Sequence, residues 1–189
     1  MLWRGETPEL FKHPVLIDEA KLEFERFSVE NADVKNFTCG NKDLDDFLTT
    51  DEVEFYEKEN LGKTFLVYYE HELVAYFTMS MDSLRREYVK RMTKRDFVKK
   101  VEEIPAMKVG RLAVATEHQN KGLGRAIMRY IMGKALSVGA GVGCRLIIVQ
   151  AKPGAIDFYE KSGFELTKSV RRERGRRSRT MFFDLHALR

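Results

Sequence analysis

The chain has 189 residues, 43% hydrophobic and 33% charged, enough for one domain with a full core. No stretch approaches the ~18 apolar residues of a membrane-spanning helix, and Glu6, Glu9, Asp18 and Glu19 interrupt the start, so neither a membrane span nor a secretory leader is expected and the setting reads as cytoplasmic. Cys39 and Cys144 are too few for a disulfide framework, and with His13, His71, His118 and His186 scattered singly they give no metal-ligand spacing.

Residues 1–20 show weak periodicity around Pro8 and Pro14 and read as an N-terminal arm, leaving 21–189 as a single domain. Leu22 to Phe27 alternates like a first strand. Asn41 stands where a helix cap belongs, ahead of Leu44, Phe47, Leu48, Val53 and Phe55 on an apolar face. One helix is therefore predicted from there to about Glu59, stopped before Gly62. Lys63–Tyr69 and Glu72–Ser80 are rich in aromatic and β-branched residues, and the short Glu70-His71 step between them predicts an antiparallel hairpin. Leu84 to Val101 has a partly helical rhythm and reads as one or two short basic helices, an insertion over roughly 84–103.

Pro105 to Ala115 predicts a strand. Gly122 to Val138 predicts a helix with Leu123, Ile127, Tyr130, Ile131 and Leu136 toward the core, and Arg145 to Gln150 a strand of the fully buried type. Strand, helix, strand in that order implies a parallel crossover. Pro153 fits the first turn of another helix, Ala155–Lys161 continue it and Gly163 stops it, before two last strands at Phe164–Thr167 and Thr180–Leu185. The sum is an α/β chain with a mixed sheet and helices on its faces.

The stretch from Leu112 to Met128 carries the most chemistry. An apolar strand is followed by a turn, Gln119-x-x-Gly122-x-Gly124, that opens a helix. Unpaired backbone N–H groups and the positive end of the helix dipole converge there, which suits a diphosphate. No Gly-Lys-Ser/Thr ends the turn, and no Gly-x-Gly-x-x-Gly with a following acid sits on an early strand, so neither common nucleotide fingerprint fits. Taken alone, the turn also reads as a tight strand-to-helix connection with no ligand.

Val114 to Gly124 together with Ala155-Ile156-Asp157-Phe158-Tyr159-Glu160-Lys161-Ser162-Gly163-Phe164 resembles the GCN5-related N-acetyltransferase (GNAT) family, over roughly Leu22 to Leu185. Phe37 to Leu48, Gly62-Lys63-Thr64 and Gly110-Arg111-Leu112-Ala113-Val114 look like a bacterial subgroup that includes acetyltransferase-type toxins acting on aminoacyl-tRNA. The resemblance implies an acyl-CoA N-acyltransferase fold, α/β with a mixed sheet of about six or seven strands. It also implies acetyl-CoA as donor and no metal.

On this resemblance the diphosphate rests on amides of Gln119, Asn120, Lys121, Gly122, Leu123 and Gly124, where glycine at 122 and 124 permits close approach. Leu112, Ala113 and Val114 pair through backbone groups with the pantetheine arm, and the side chains of Gln119, Lys121 and Arg125 are further candidate contacts. Tyr159 is the candidate proton donor to the departing thiolate, although Phe158 and Tyr159 also read as ordinary core aromatics. Position 152, often asparagine in the family, is Lys152 here, so a family contact at that point becomes either a phosphate contact or an exposed lysine. The strand Met107–Val114 carries no carboxylate for a general base, Glu102 and Glu103 precede it, Glu117 and His118 sit in the turn, and water is the alternative relay.

The expected activity is direct acetyl transfer from acetyl-CoA to a primary amine, with a small amine, a protein or an aminoacyl-tRNA as acceptor. The competing reading is a non-enzymatic module of the same fold that binds acetyl-CoA or RNA, against which the retained Tyr159 argues. Basic charge is local. Six arginines against Glu173 in Arg171–Arg179 exceed the net charge of the whole chain, +4, and residues 85–100 hold a second basic run. Both segments read as solvated faces or a mobile loop, or else as a tRNA-binding surface. A homodimer is common among such folds, and a toxin would need a separate antitoxin.

Overall fold

The computed structural model describes residues 17–30, 33–89, 100–173 and 176–188, and of residues 169–173, 176 and 177 only the backbone. Residues 1–16 of the predicted arm, 90–99 of the predicted basic insertion and 174–175 of the arginine run lie outside the described residues. Seven strands form a mixed sheet in the order β1-β2-β3-β4-β5-β7-β6, and the chain falls into two compact units.

The first unit lies within residues 14–80 and 109–127. Strand β1 (Leu22–Arg26) pairs antiparallel with β2 (Lys63–Tyr69), and β2 with β3 (Glu72–Arg85), with Leu22 opposite Tyr69 and Lys63 opposite Met79. The predicted hairpin is present. Its two turn residues, Glu70 and His71, both take positive φ (51° and 70°), the mirror-image turn that matches the strand twist, here built without glycine.

The single helix predicted from Asn41 is two helices, α1 (Lys42–Thr49) and α2 (Glu52–Lys58). Thr50 is extended between them; its hydroxyl donates to Asp46 C=O (2.7 Å) and accepts the Glu52 N–H (3.3 Å), a local alternative to the helical ladder. The break resets the helical phase. Val53 is buried and Tyr56 turns toward the core, while Phe55, predicted to face inward, is 60% exposed. Asn41 occupies the cap position without a side-chain cap; its carbonyl instead receives the Leu44 and Asp45 N–H groups. Both helices cover a cluster of Phe27, Phe37, Phe47, Leu48, Leu66 and Tyr76, where Tyr76 Oη donates to Leu44 C=O at 2.7 Å.

The second unit lies within residues 81–108 and 128–189. β4 (Glu103–Val114) leads through α3 (Leu123–Val142) to β5 (Leu146–Ala151). The Arg145 N–H, just before β5, donates to Pro105 C=O near the start of β4 (2.9 Å), so both strands leave from the same end and the crossover is parallel as predicted. Of the helix's predicted core residues, Leu123, Ile127 and Ile131 are buried; Tyr130 and Leu136 are half-buried.

The second unit departs from the sequence-based expectation at two places. Leu84 belongs to β3, which continues to Arg85 and ends in a tight 3-10 turn at Arg86–Tyr88, so no helix begins at Leu84. The side chain of Leu84 is buried with Val89, Ile104, Ala106, Leu146, Ile148 and Phe182, and that apolar contact favours the extended form over the helical rhythm. After a 3-10 turn at Pro153–Ala155, α4 (Ile156–Lys161) ends at Gly163 (φ +84°). There β6 (Glu165–Glu173) and β7 (Arg176–Asp184) form an antiparallel hairpin longer than predicted. Residues 171–173 and 176–179 of the arginine run are therefore strand. No helix among the described residues is long and apolar enough to cross a membrane.

Candidate active site

The phosphate turn is built where β4 gives way to α3. After Val114, a 3-10 turn at Thr116–His118 leads to Asn120 and Gly122, both in the left-handed region (φ 61° and 88°). Glycine adopts this at no cost and asparagine at little, so the chain reverses and enters the helix within a few residues. Gly122 C=O takes the Arg125 and Ala126 N–H groups (3.0 and 3.2 Å), which starts the ladder and leaves the preceding amides ahead of it. Leu123 is 1% exposed and anchors the helix, so at that position only the backbone is available. Asn120 and Lys121 are exposed, and Gly122, Gly124 and Arg125 half-exposed. An amide cradle at the start of a 20-residue helix fits the diphosphate of acetyl-CoA.

Gln119, expected as a cofactor contact, has its side chain engaged within the protein. Its Nε2 donates to Cys39 C=O (2.9 Å) and Val114 C=O (3.0 Å), tying the turn to the end of β4 and to the loop before α1. Thr116 adds two more ties, its N–H and hydroxyl both donating to Thr38 C=O (3.0 and 3.3 Å). The loop is held in turn by Asp45, whose carboxylate accepts from the Cys39 N–H (2.8 Å) and the Thr38 hydroxyl (3.0 Å). Burial pushes the Asp45 carboxyl upward, but hydrogen bonds from Cys39, Thr38 and Gly40 outweigh it and hold it below its ordinary value. No sequence pattern announces this brace. Thr38 and Asp45 are seven residues apart with a turn between, and only the folded loop aligns them.

On β4, Ala113 is buried in the apolar cluster, so it meets a ligand through its backbone alone, and Leu112 and Val114 are half-exposed. Arg111, part of the Gly110–Val114 stretch that carries the resemblance but given no role there, lays its guanidinium 3.6 Å over the Phe47 ring. Lys152 is exposed just before the Pro153 turn.

Tyr159 belongs to the second unit. It is 9% exposed, in edge contact with Phe158 and Phe164 (ring centroids 5.0 and 5.4 Å). Burial pushes its hydroxyl up to about 12, so at neutral pH it is a protonated group able to donate. Glu103, considered as a base, accepts from the Ser83 hydroxyl (2.7 Å) and pairs with Arg85 (3.4 Å). Cys39 is pushed up to about 11, first by burial and then by its contact with Asp45, and burial also raises Cys144; neither is a ready nucleophile. Among the described residues, no group of three or more His, Cys, Asp or Glu side chains is arranged to hold a metal ion.

Residues 61–166, more than half of the chain, match the family model described as an acetyltransferase (GNAT) domain. The chain belongs to the GNAT acetyltransferase family. It is similar to a tRNA-acetylating toxin of Mycobacterium tuberculosis (strain ATCC 25618 / H37Rv), 24% identical over 71% of this chain and 80% of the toxin. Its fold is similar to that of AtaT complexed with acetyl-methionyl-tRNAfMet (TM-score 0.73, 22% identity, 88% of this chain and 96% of that one). It is likewise similar to a mutant AtaT toxin bound to the C-terminus of the antitoxin AtaR and acetyl-CoA (TM-score 0.68, 21% identity, 89% and 96%). The protein is an acetyl-CoA-dependent N-acetyltransferase.

Proposed function

We propose that the chain transfers acetyl directly from acetyl-CoA to the α-amine of an aminoacyl-tRNA, with the turn at Gln119–Gly124 holding the donor and Tyr159 protonating the leaving thiolate. Acetyl-CoA supplies an activated thioester. The amides of Asn120 to Gly124 and the half-exposed Arg125 meet the diphosphate, with the exposed Lys121 and Lys152 as further cations, while backbone groups of Leu112, Ala113 and Val114 orient the arm. Attack by the amine forms the C–N bond and breaks the C–S bond; the Tyr159 hydroxyl, neutral up to about pH 12, gives the sulfur its proton, and the proton shed by the amine passes through water and restores the tyrosine.

The observation that carries the RNA acceptor is the arginine run on the β6–β7 hairpin. In its register Arg172 stands opposite Arg177, Arg171 opposite Ser178 and Arg176 opposite Glu173. The register thus gathers Arg171, Arg172, Arg176 and Arg177 at one end of the hairpin against the single Glu173, a local excess of positive charge that attracts a polyanion. The tRNA-acetylating relative and the fold shared with a tRNA-bound toxin support the same reading.

The test is binding of aminoacyl-tRNA as a function of salt. Replacing Arg171, Arg172, Arg176 and Arg177 with glutamine should weaken binding at low salt and flatten the log K against log salt slope by roughly 0.7 to 0.9 for each phosphate no longer neutralised. An unchanged slope removes the tRNA acceptor.

A further inference from the structure

Phe37–Leu48, Gly62-Lys63-Thr64 and Gly110–Val114 are far apart in sequence and meet around one side chain. Arg111 lays its guanidinium 3.6 Å over the Phe47 ring of α1, and the Tyr56 ring of α2 is 5.5 Å away. The two rings are themselves in edge contact, with centroids 5.5 Å apart. The helix break at Thr50 makes this possible, because the change of phase between α1 and α2 turns Tyr56 inward beside Phe47. Two glycines leave the room. A Cβ on Gly62 would fall on Tyr56 Oη, and one on Gly110 would lie 2.8 Å from Thr78 Oγ1, which accepts the Arg111 backbone N–H at 3.0 Å.

This seat fixes the guanidinium without using its donors. Stacking occupies a face of the group and leaves its rim of N–H groups, and among the described residues no carboxylate, carbonyl or hydroxyl takes them. Arg111 is half-buried, so the rim is open to a ligand while the aromatic rings hold its plane. A side chain already restricted in this way loses little further freedom on binding. Position narrows the ligand. With the diphosphate on the turn at Gln119–Gly124, the arm of the donor runs back past Val114, Ala113 and Leu112, and its acyl end points toward the earlier part of β4. Arg111 comes next, one strand step of ~3.3 Å beyond Leu112.

We propose that Arg111 selects the acceptor, its guanidinium donating to a carbonyl oxygen on the carbon next to the one that bears the attacking amine. The enzyme then takes α-aminoacyl esters and amides in preference to plain amines. In such an acceptor the amine and the carbonyl are attached to each other, so holding the oxygen confines the nitrogen to a small arc in front of the thioester. The positive charge also disfavours the ammonium form of the amine and so leaves more of the neutral nucleophile. A planar fork held on a ring gives direction that a lysine, a point charge on a flexible stem, does not. The inference rests on the donor placement and the amine acceptor of the proposed function, and not on RNA.

The test sets an amino-acid methyl ester against the amino alcohol with the same side chain, which keeps the amine and lacks the carbonyl, with rates referred to the neutral amine. Wild type should favour the ester in kcat/KM by about 10- to 100-fold, the worth of a hydrogen bond to a charged group. Arg111→Gln should lose most of that preference through the ester alone, with the amino alcohol and the acetyl-CoA KM changed by less than about 3-fold. A role limited to packing lowers both acceptors together, so an unchanged ester-to-alcohol ratio in Arg111→Gln overturns the proposal, as does a wild type without preference. If chemical melts show Arg111→Gln unfolded, Arg111→Lys, which keeps a cation over Phe47 but no fork, is used instead; its ratio should fall by about 3-fold or more, and a wild-type ratio overturns the proposal. If the ester is acetylated and aminoacyl-tRNA is not, the tRNA acceptor fails while Arg111 is still judged on the ester and the alcohol. If neither is acetylated, both readings fall.

Discussion

Replacing Gln119 with leucine separates a brace from a ligand contact. The amide nitrogen makes two good hydrogen bonds, to Cys39 C=O at 2.9 Å and Val114 C=O at 3.0 Å, and both are near the surface. Water can take over at each carbonyl, so each bond contributes at the low end of the usual range, about 0.5–1 kcal/mol net and ~1–2 kcal/mol together. Because the amides of the turn must already be arranged to meet a diphosphate, that destabilisation enters donor affinity as about 5- to 30-fold weaker acetyl-CoA binding by titration calorimetry. A truncated donor, S-acetyl-pantetheine, has no diphosphate and should be used as well by Gln119→Leu as by wild type. Gln119→Glu keeps the length but turns both donors into acceptors, so it should bind acetyl-CoA more weakly than leucine does, with the difference shrinking in salt. Wild-type affinity in Gln119→Leu, or an equal weakening with the truncated donor, would refute the brace.

Tyr159→Phe should lower kcat by about a hundredfold or more with acetyl-CoA affinity unchanged; equal reductions in both would make the ring a packing residue. Tyrosine ionises near 10 when free and Tyr159 near about 12 when folded, so the stability its neutral form contributes is complete below about pH 10. That contribution disappears as pH rises toward 12, and chemical melts of wild type against Tyr159→Phe across that window measure it. Gly62→Ala drives a methyl group into Tyr56 Oη and sets it 2.8 Å from Met79 C=O, which should cost about 1–3 kcal/mol in denaturant melts. Adding Tyr56→Phe should recover part of this, and no recovery would place the strain at the carbonyl alone. Cys39, held up to about 11, should react with iodoacetamide at pH 8 roughly two orders of magnitude more slowly than a free thiol, and a fast reaction would reopen a covalent mechanism.

What is legible in the sequence is what the backbone decides locally. The strand at Lys63–Tyr69, the helix after Gly122 and the stop at Gly163 follow from side-chain periodicity and from glycines that need positive φ, and each is found where expected. The break after Thr49 is hidden because the segments on both sides of it are helical in composition, and the interruption rests on one hydroxyl, Thr50, choosing its own carbonyl and amide partners. The strand at Leu84 is hidden because a short apolar rhythm fits either period, and the deciding fact is burial against Ile104 and Phe182, far away in sequence. The arginine run reads as a loop because arginine carries no strong strand preference, whereas pairing with β6 carries β7 through it.

The same division explains why the donor half of the reaction is readable and contacts between distant side chains are not. In the proposed site acetyl-CoA is met by main-chain N–H and C=O groups, and the sequence advertises them through the residues that let the backbone take that shape: Gly122 at φ 88°, Asn120 at φ 61°, and an apolar strand ending at Val114. Side chains that meet across strands leave no such trace. Ser178 and Thr180 lie 28 and 30 residues from Gln150, and what joins them is the β5–β7 register together with the irregularity in β6 opposite Thr180. None of the three residues is unusual in its own segment, and a one-residue slip of β7 would send Thr180 and Ser178 to the other face. The meeting of Gln150 with Thr180 and Ser178 is therefore a property of strand register. Substitutions that shift the Leu166–Val170 irregularity should break the Gln150–Thr180 bond and lower the melting temperature while leaving donor binding at Gly122 intact.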